Sequence, residues 1–249
     1  MSVEVVAAPE FKKWRTMAAE YLKETEPEYL LLRFSKSLEG YIVQFVEGLP
    51  YEYVIDELRR SQLVPEPMGA WEYSAEPLLK VLPHIRNANL NLEVYCYGDP
   101  FYNQESMKVL LEAASLTLRG TITGQIDTEK WRKLLKKEKG YRKEALRRET
   151  DSVIIQASKH EESVCVTNSN TIYVVSELKE EGFEVRQKNI GFPCPPTPLE
   201  ILRKEIEDEP EISDERIEEL VHSHIKYIRE YVLLSKDLDQ ANIPTNFLL

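Results

Sequence analysis

The sequence predicts an α/β fold: a mostly parallel sheet of about five strands covered by helices, with a C-terminal helical extension. Three observations predict it. Apolar runs of strand length, such as YLLLRF (Tyr29–Phe34), alternate with longer stretches of helical periodicity, as expected when helices cover both faces of a sheet. The segment SVCVTNSNTIYVVSELKEEGFEV (Ser163–Val185) reads as strand, polar turn, helix, glycine stop and strand, a complete parallel crossover unit. Proline density in FPCPPTP (Phe192–Pro198) then separates an α/β domain, 1–190, from an extension, 191–249.

The elements follow in order. Val3–Val6 is a short apolar strand, and Pro9 sits where a first helical turn tolerates it. In FKKWRTMAAEYLKET, residues Phe11, Trp14, Ala18, Tyr21 and Leu22 recur at helical spacing. After YLLLRF come helical segments near Leu38–Val46 and Tyr51–Arg60, and then a proline-punctuated loop, LVPEPMGAWEYSAEP, leading into LLKVLPHIRNA. The strand LEVYCY ends at Gly98-Asp99-Pro100, and ESMKVLLEAASLTLRG is a helix expected to stop at Gly120. Asp127 is placed to cap TEKWRKLLKKE, and a further helix carries KEALRRETDSVIIQASK. VCV and FEV are the last strands, with Gly182 ending the helix between them. Beyond the prolines lie helices near Leu199–Glu207 and Ser213–Leu234. Ser213 and Arg216 are spaced as a cap, and Ile217, Leu220, Val221, Ile225, Ile228 and Val232 form an apolar stripe.

Composition bounds the function. Hydrophobic residues make up 42% and charged residues 30% of 249, a globular balance. The net charge of −11 disfavours nucleic-acid or anionic-membrane binding by the surface as a whole. With 35 Glu, 8 Asp and few Gln, the composition follows the trend of proteins from hot environments. Cys96, Cys165 and Cys194 lack CxxC spacing, and the first two fall in apolar runs, so they read as small buried hydrophobes in a reducing, cytoplasmic setting. No apolar run approaches about 18 residues, so no membrane span is expected. The N-terminus has no basic segment before its short apolar run and does not read as a secretory signal.

Ligands of open parallel sheets bind at the carboxyl ends of the strands. This points to Arg33 and Ser35 after the second strand, Asp99 after the third, and Thr167–Asn170 after the fourth, where Ser169 or Asn170 would cap the next helix. Arg147 or Arg148, ahead of the apolar Val153-Ile154-Ile155, is expected to turn inward to an anion or a carboxylate. The candidate ligand-binding set is therefore Arg33, Ser35, Asp99, Arg148, Asn168 and Asn170, with Asp99 and Arg148 as catalytic candidates. No GxSxG, Walker loop, GxGxxG or HExxH occurs, and neither a cofactor nor a metal is expected. His222 and His224, two apart on a helix, point to different sides and cannot grip one ion; they read as solvated or half-buried. Between Trp131 and Arg148 nine basic residues face two acidic ones, and between Glu200 and Glu219 ten acidic residues face three basic ones. The basic run reads as a solvated face or as a complement to the acidic segment, and as a nucleic-acid patch only in a third-ranked reading.

EFKKWRTMAAEYLKETEPEYLLL, NLEVYCYGDP and ALRRETDSVIIQASKHEESVCVTNSNTIYVVSELKEEGFEV carry a resemblance. Over about residues 1–190 the chain resembles the TraB/ChaN/erythromycin-esterase-like superfamily: an early helix and apolar strand, a mid-chain strand ending in aspartate, and an arginine-headed closing segment. The resemblance implies a His motif after the first strand, where this chain has Val6-Ala7-Ala8-Pro9. It implies a glutamate at Arg33 and a Gly-x-x-His turn at Thr167-Asn168-Ser169-Asn170. Amides and hydroxyls neither shuttle protons near neutral pH nor hold a hydrolytic metal. The leading expectation is a non-catalytic or degenerate-site protein, a pseudoenzyme binding a small anionic ligand or a protein partner. The alternative is a hydrolase or transferase with Asp99 as base or metal ligand, Arg33 and Arg148 as anion clamps and Asn168 or Asn170 as a hydrogen-bond donor. Residues 199–235 are expected to form a homodimer or to dock tightly on their own chain.

Overall fold

The computed structural model describes residues 1–64, 68–168, 171–191, 195–209, 211–235 and 239. In chain order the elements are β1 (Ser2–Ala7), α1 (Lys12–Thr25), β2 (Tyr29–Ser35), α2 (Glu39–Val46), α3 (Tyr51–Arg60), α4 (Met68–Ala88), β3 (Glu93–Gly98), α5 (Pro100–Thr123), α6 (Thr128–Ala157), β4 (Glu162–Thr167), α7 (Thr171–Glu180), β5 (Glu184–Asn189), α8 (Pro198–Asp208) and α9 (Asp214–Tyr227). The five strands form one sheet, every pairing parallel, in the order β3-β2-β4-β1-β5. The expected alternation of strands and helices is the observed one. Among the described residues no helix is long and apolar enough to cross a membrane.

The chain divides into two compact units, residues 1–103 with 145–191, and residues 104–144 with 192–249. The α/β unit has a core on each face of the sheet. Val6, Leu30, Leu32, Phe34, Val94, Cys96 and Val166 meet α1, α2, α3 and α4 on one face. Val3, Val5, Leu31, Tyr97 and Cys165 meet Val153 and Ala157 of α6 and Val174 and Leu178 of α7 on the other. Removing each such leucine or valine from water contributes about 1.5–3 kcal/mol, which is why these strands read as continuous apolar runs. The free edge at β5 is instead polar, with Arg186, Gln187, Lys188 and Asn189, and discourages further strand pairing. At the other edge, Glu39 accepts a hydrogen bond from the Cys96 amide at 2.8 Å.

Several boundaries differ from the sequence reading; the last helix, for one, gives way after Tyr227 to a π-helical turn over Ile228–Val232. Helix α4 runs through Pro77 and Pro83, so residues 68–77 are helical and not loop. Burial of Ala75, Leu78, Leu79 and Leu82 offsets the hydrogen bonds that the prolines remove. TEKWRKLLKKE and KEALRRETDSVIIQASK belong to one helix of 30 residues, capped by Asp127, whose Oδ1 accepts from the Lys130 amide at 3.1 Å. Gly120 is interior to α5 and buried, and a Cβ there would lie 2.9 Å from Ile126 and from Ile225. It packs against the ends of these two side chains and does not stop the helix. Gly182 does end α7, at φ 86°.

In the helical unit, Trp131, Leu134 and Leu135 of α6 pack with Val109 and Ala113 of α5, Leu202 and Ile206 of α8, and Ile217, Leu220 and Val221 of α9. The first part of the stripe, Ile217, Leu220 and Val221, is thus buried within its own unit, with Ile225 partly buried against it, whereas Ile228 and Val232 stay half-buried. Ser213 caps α9, its Oγ accepting from the Arg216 amide at 3.2 Å. The basic and acidic segments meet as ion pairs: Arg132 with Asp214 at 2.5 Å, Arg142 with Glu207 at 2.6 Å and Glu138 with Arg203 at 2.9 Å. His222 is exposed, whereas His224 is buried against the Trp131 ring and not half-buried as the spacing suggested.

Burial, and then the nearby Arg203 charge, lower the His224 pKa to about 4. The unfolded chain, with an ordinary histidine near 6.5, takes up the proton first. His224 therefore contributes stability that is fully present above pH 6.5 and lost as pH falls from 6.5 through 4, about 3 kcal/mol in all. Urea midpoints of the wild type are expected to fall over that window more steeply than those of His224→Leu. Equal slopes would contradict a buried neutral imidazole.

Candidate functional site

The carboxyl end of β2, with Glu10 beyond β1, Asn103 beyond β3 and residues of α1 and α4, lines a pocket of about 120 Å³ in the α/β unit. Its shape begins with a register fault. Leu32 pairs with Cys96 and Ser35 with Gly98, so β2 spends one more residue than β3 over the same span. Such a bulge re-aims the side chains beside it. It requires Gly98, because a Cβ at that position would lie 2.7 Å from the Phe34 carbonyl oxygen. Arg33 continues the face of Leu31 and meets Glu149 of α6, while Phe34 and Ser35 border the pocket.

A ladder of charged groups then crosses the rim. The Arg33 Nε donates to Glu149 Oε2 at 2.8 Å, and the Asp99 amide donates to Glu149 Oε1 at 3.0 Å. Asp99 in turn accepts at Oδ1 from the Tyr102 amide, 2.7 Å, and at Oδ2 from the Arg148 Nε, 2.6 Å. Asp99 caps α5, and Arg148, itself exposed, is the arginine that reaches a carboxylate; Arg147 pairs along the helix with Asp151. Glu149 is 3% exposed. Burial works against the Arg33 charge, but Glu149, Tyr97 and Glu10 together raise its pKa above the usual value.

The pocket holds a second arginine that the sequence reading missed. Arg15 of α1 is 6% exposed and lines the pocket with Arg33, Ser35 and Asn103. Its Nε is buried without a hydrogen-bond partner, and its Nη2 lies 3.7 Å from Glu10 Oε1. Arg33 Nη1 lies 3.7 Å from the same oxygen, although the Glu10 side chain is 59% exposed. Desolvation lowers the Arg15 pKa, the Glu10 charge opposing it. The opposite wall is apolar: Leu38, Val64, Trp71 and Ala75, with the Phe34 and Trp71 rings 5.9 Å apart.

Of the candidates read from sequence, Arg33 and Ser35 line this pocket, and Ser35 Oγ is 2.8 Å from Ser37 Oγ. Asp99 and Arg148 join it through Glu149 without lining it. Asn168 follows β4 at the same rim, where the Thr167 carbonyl accepts from the Ala8 amide at 2.9 Å, and it is not among the lining residues. Ser169 and Asn170 lie outside the described residues, as does Cys194, whereas Cys96 and Cys165 are buried thiols. The strand ends Phe34, Tyr97 and Val166 do share a rim: Tyr97 Oη donates to the Val166 carbonyl at 2.9 Å. Desolvation raises the Tyr97 pKa well above 10, so it stays a phenol at neutral pH. Among the described residues no group of three or more His, Cys, Asp or Glu is disposed to hold a metal ion.

Comparison with family models, curated proteins and solved structures gives no match. The site must therefore be read from its own chemistry. Two consequences of its construction are measurable. Glu149→Ala removes the partner of a buried guanidinium and is expected to cost about 3–5 kcal/mol, seen as a lower thermal midpoint and urea midpoint. Gly98→Ala forces the bulge open and is expected to cost about 1–3 kcal/mol, or roughly 2–10 °C in the midpoint. A neutral result for either would mean that the β2–β3 rim is not held as described.

Proposed function

We propose that the α/β unit binds a small organic or inorganic anion, a carboxylate or a phosphate, and does not turn it over. The observation that carries this is Arg15: a buried guanidinium with an unpartnered Nε, sharing a pocket with a second arginine. Burying a cation is costly unless an anion or hydrogen-bond acceptors compensate it, and Glu10 at 3.7 Å is a weak compensator. An anion entering the pocket would displace Glu10 and take charge-assisted hydrogen bonds from both arginines. At about 120 Å³ the pocket suits a group of phosphate or short-chain carboxylate size, with an apolar portion against Trp71 and Leu38.

Turnover is disfavoured by the placement of the carboxylates. Asp99 and Glu149 are held by hydrogen bonds to Tyr102, Arg148, Arg33 and the Asp99 amide, and neither lines the pocket. This supports a degenerate site over a hydrolase built on Asp99. The likeness to the TraB/ChaN/erythromycin-esterase-like superfamily remains part of this proposal, as does a cytoplasmic setting. Nucleic-acid binding by residues 131–148 is less favoured because Arg132 and Arg142 are engaged by Asp214 and Glu207.

Calorimetry with inorganic phosphate, acetate and malonate tests the reading. At least one is expected to bind with favourable enthalpy and to raise the thermal midpoint. Arg15→Met should weaken binding about 10–100-fold, the worth of a charged hydrogen bond, while keeping the fold. Glu10→Gln should strengthen it by up to about fivefold by removing the competing carboxylate. No binding by any of the three, or hydrolysis of a phosphate or carboxylate ester that is lost in Asp99→Asn, would overturn the proposal.

A further inference from the structure

Helix α5 is apolar on two opposite faces. Val109, Ala113 and Gly120 are buried, and Val109 and Ala113 belong to the core of the helical unit. On the other side Leu111 and Leu118 are each 61% exposed and Ile122 is 74% exposed, with Leu110 half exposed at their edge. A helix that is hydrophobic all round is a buried helix, so one face still awaits a cover.

The spacing of the exposed face identifies the cover. Met107, Leu111, Ala114, Leu118 and Thr121 follow one another at four, three, four and three residues, a coiled-coil seam of two heptads. The outward set Met107, Leu111, Ala114, Ser115, Leu118 and Ile122 is symmetric about the point between Ala114 and Ser115. A twofold axis crossing the helix between Ala114 and Ser115 sets Leu111 against Leu118 of a second copy and Met107 against Ile122, with small residues at the crossing. Glu112 and Arg119 lie together on one flank of the seam, about 80–100° from its centre line. In an antiparallel pair that flank faces itself. Glu112 of one copy then comes within about 3 Å, along the axis, of the level of Arg119 of the other, and the pairing occurs twice. A parallel pair sets this flank against Leu110 and Thr121 and gains no ion pair. Neither Glu112 nor Arg119 forms an ion pair among the described residues. The four large exposed side chains make a patch on the order of 400 Å², at the size where exposed apolar surface marks an interaction site. It supplies about half of the 800 Å² per partner that a stable interface needs, the polar flanks supplying the remainder.

We infer that the chain forms an antiparallel twofold homodimer through the exposed seam of α5, Met107 to Ile122, and that this surface, not the C-terminal helices, is its self-association site. The inference is independent of the anion pocket, since no residue is shared. Light scattering on the full chain is expected to give twice the 29.0 kDa chain mass. Leu111→Glu/Leu118→Glu is expected to be monomeric with an unchanged far-UV circular dichroism spectrum. Glu112→Arg should weaken the dimer about fivefold, and adding Arg119→Glu should restore it. In a Cys194→Ser background, Ser115→Cys, beside the axis, should crosslink under mild oxidation, whereas Met107→Cys should not. A wild type that stays monomeric at high micromolar concentration, a dimer indifferent to the double leucine variant, or efficient crosslinking at Met107→Cys would each overturn the inference.

Discussion

The rim of the α/β unit depends on one buried carboxylate. Glu149 arrives on a helix from the far face of the sheet and accepts from the end of β2 and the start of α5 at once. Neither donor could be buried alone: a guanidinium and a backbone amide both need an acceptor when water is removed. The carboxylate in turn could not be buried without two donors. Three segments distant in sequence are therefore held in one arrangement, and Asp99, fixed by its own amide, caps α5 and holds Arg148 with what remains of its valence. The fault in the β2–β3 register, permitted by Gly98, is what brings the second strand's arginine within reach.

Within this frame the charges divide into committed and uncommitted groups. Arg33, Glu149, Asp99 and Arg148 satisfy one another. Arg15 and Glu10 do not, because one is buried without a close partner and the other is largely in solvent. The anion binding proposed above would rest on a prearranged cation and a dispensable internal anion, with no proton transfer required.

The order of strands and helices was legible because apolar runs and helical periodicity report burial directly. Arg33, Ser35 and Asp99 were legible because strand ends can be counted off. Arg15 and Glu149 were not found, since the rotation of a helix over a sheet is set by packing and not by position in the chain. A signal existed all the same. Arg15 stands in register with the buried Ala18, Ala19 and Leu22, and Glu149 with Val153 and Ala157. An ionisable residue on the apolar stripe of a helix is the mark that the strand-end rule overlooks. Gly120 misled because a glycine is also tolerated inside a helix, as it is in α5. The prolines of α4 misled because tertiary burial outweighed local propensity.

The place of β4 has a consequence for how the protein is made. It lies between β1 and β2, which do not pair with each other, and it is encoded well after both. A nascent chain that has emerged only as far as β3 holds a two-stranded fragment and an unattached first strand. Ribosomal synthesis must deliver the keystone before the sheet can close, and until then the edges of β1 and β2 that β4 will occupy have no partner strand.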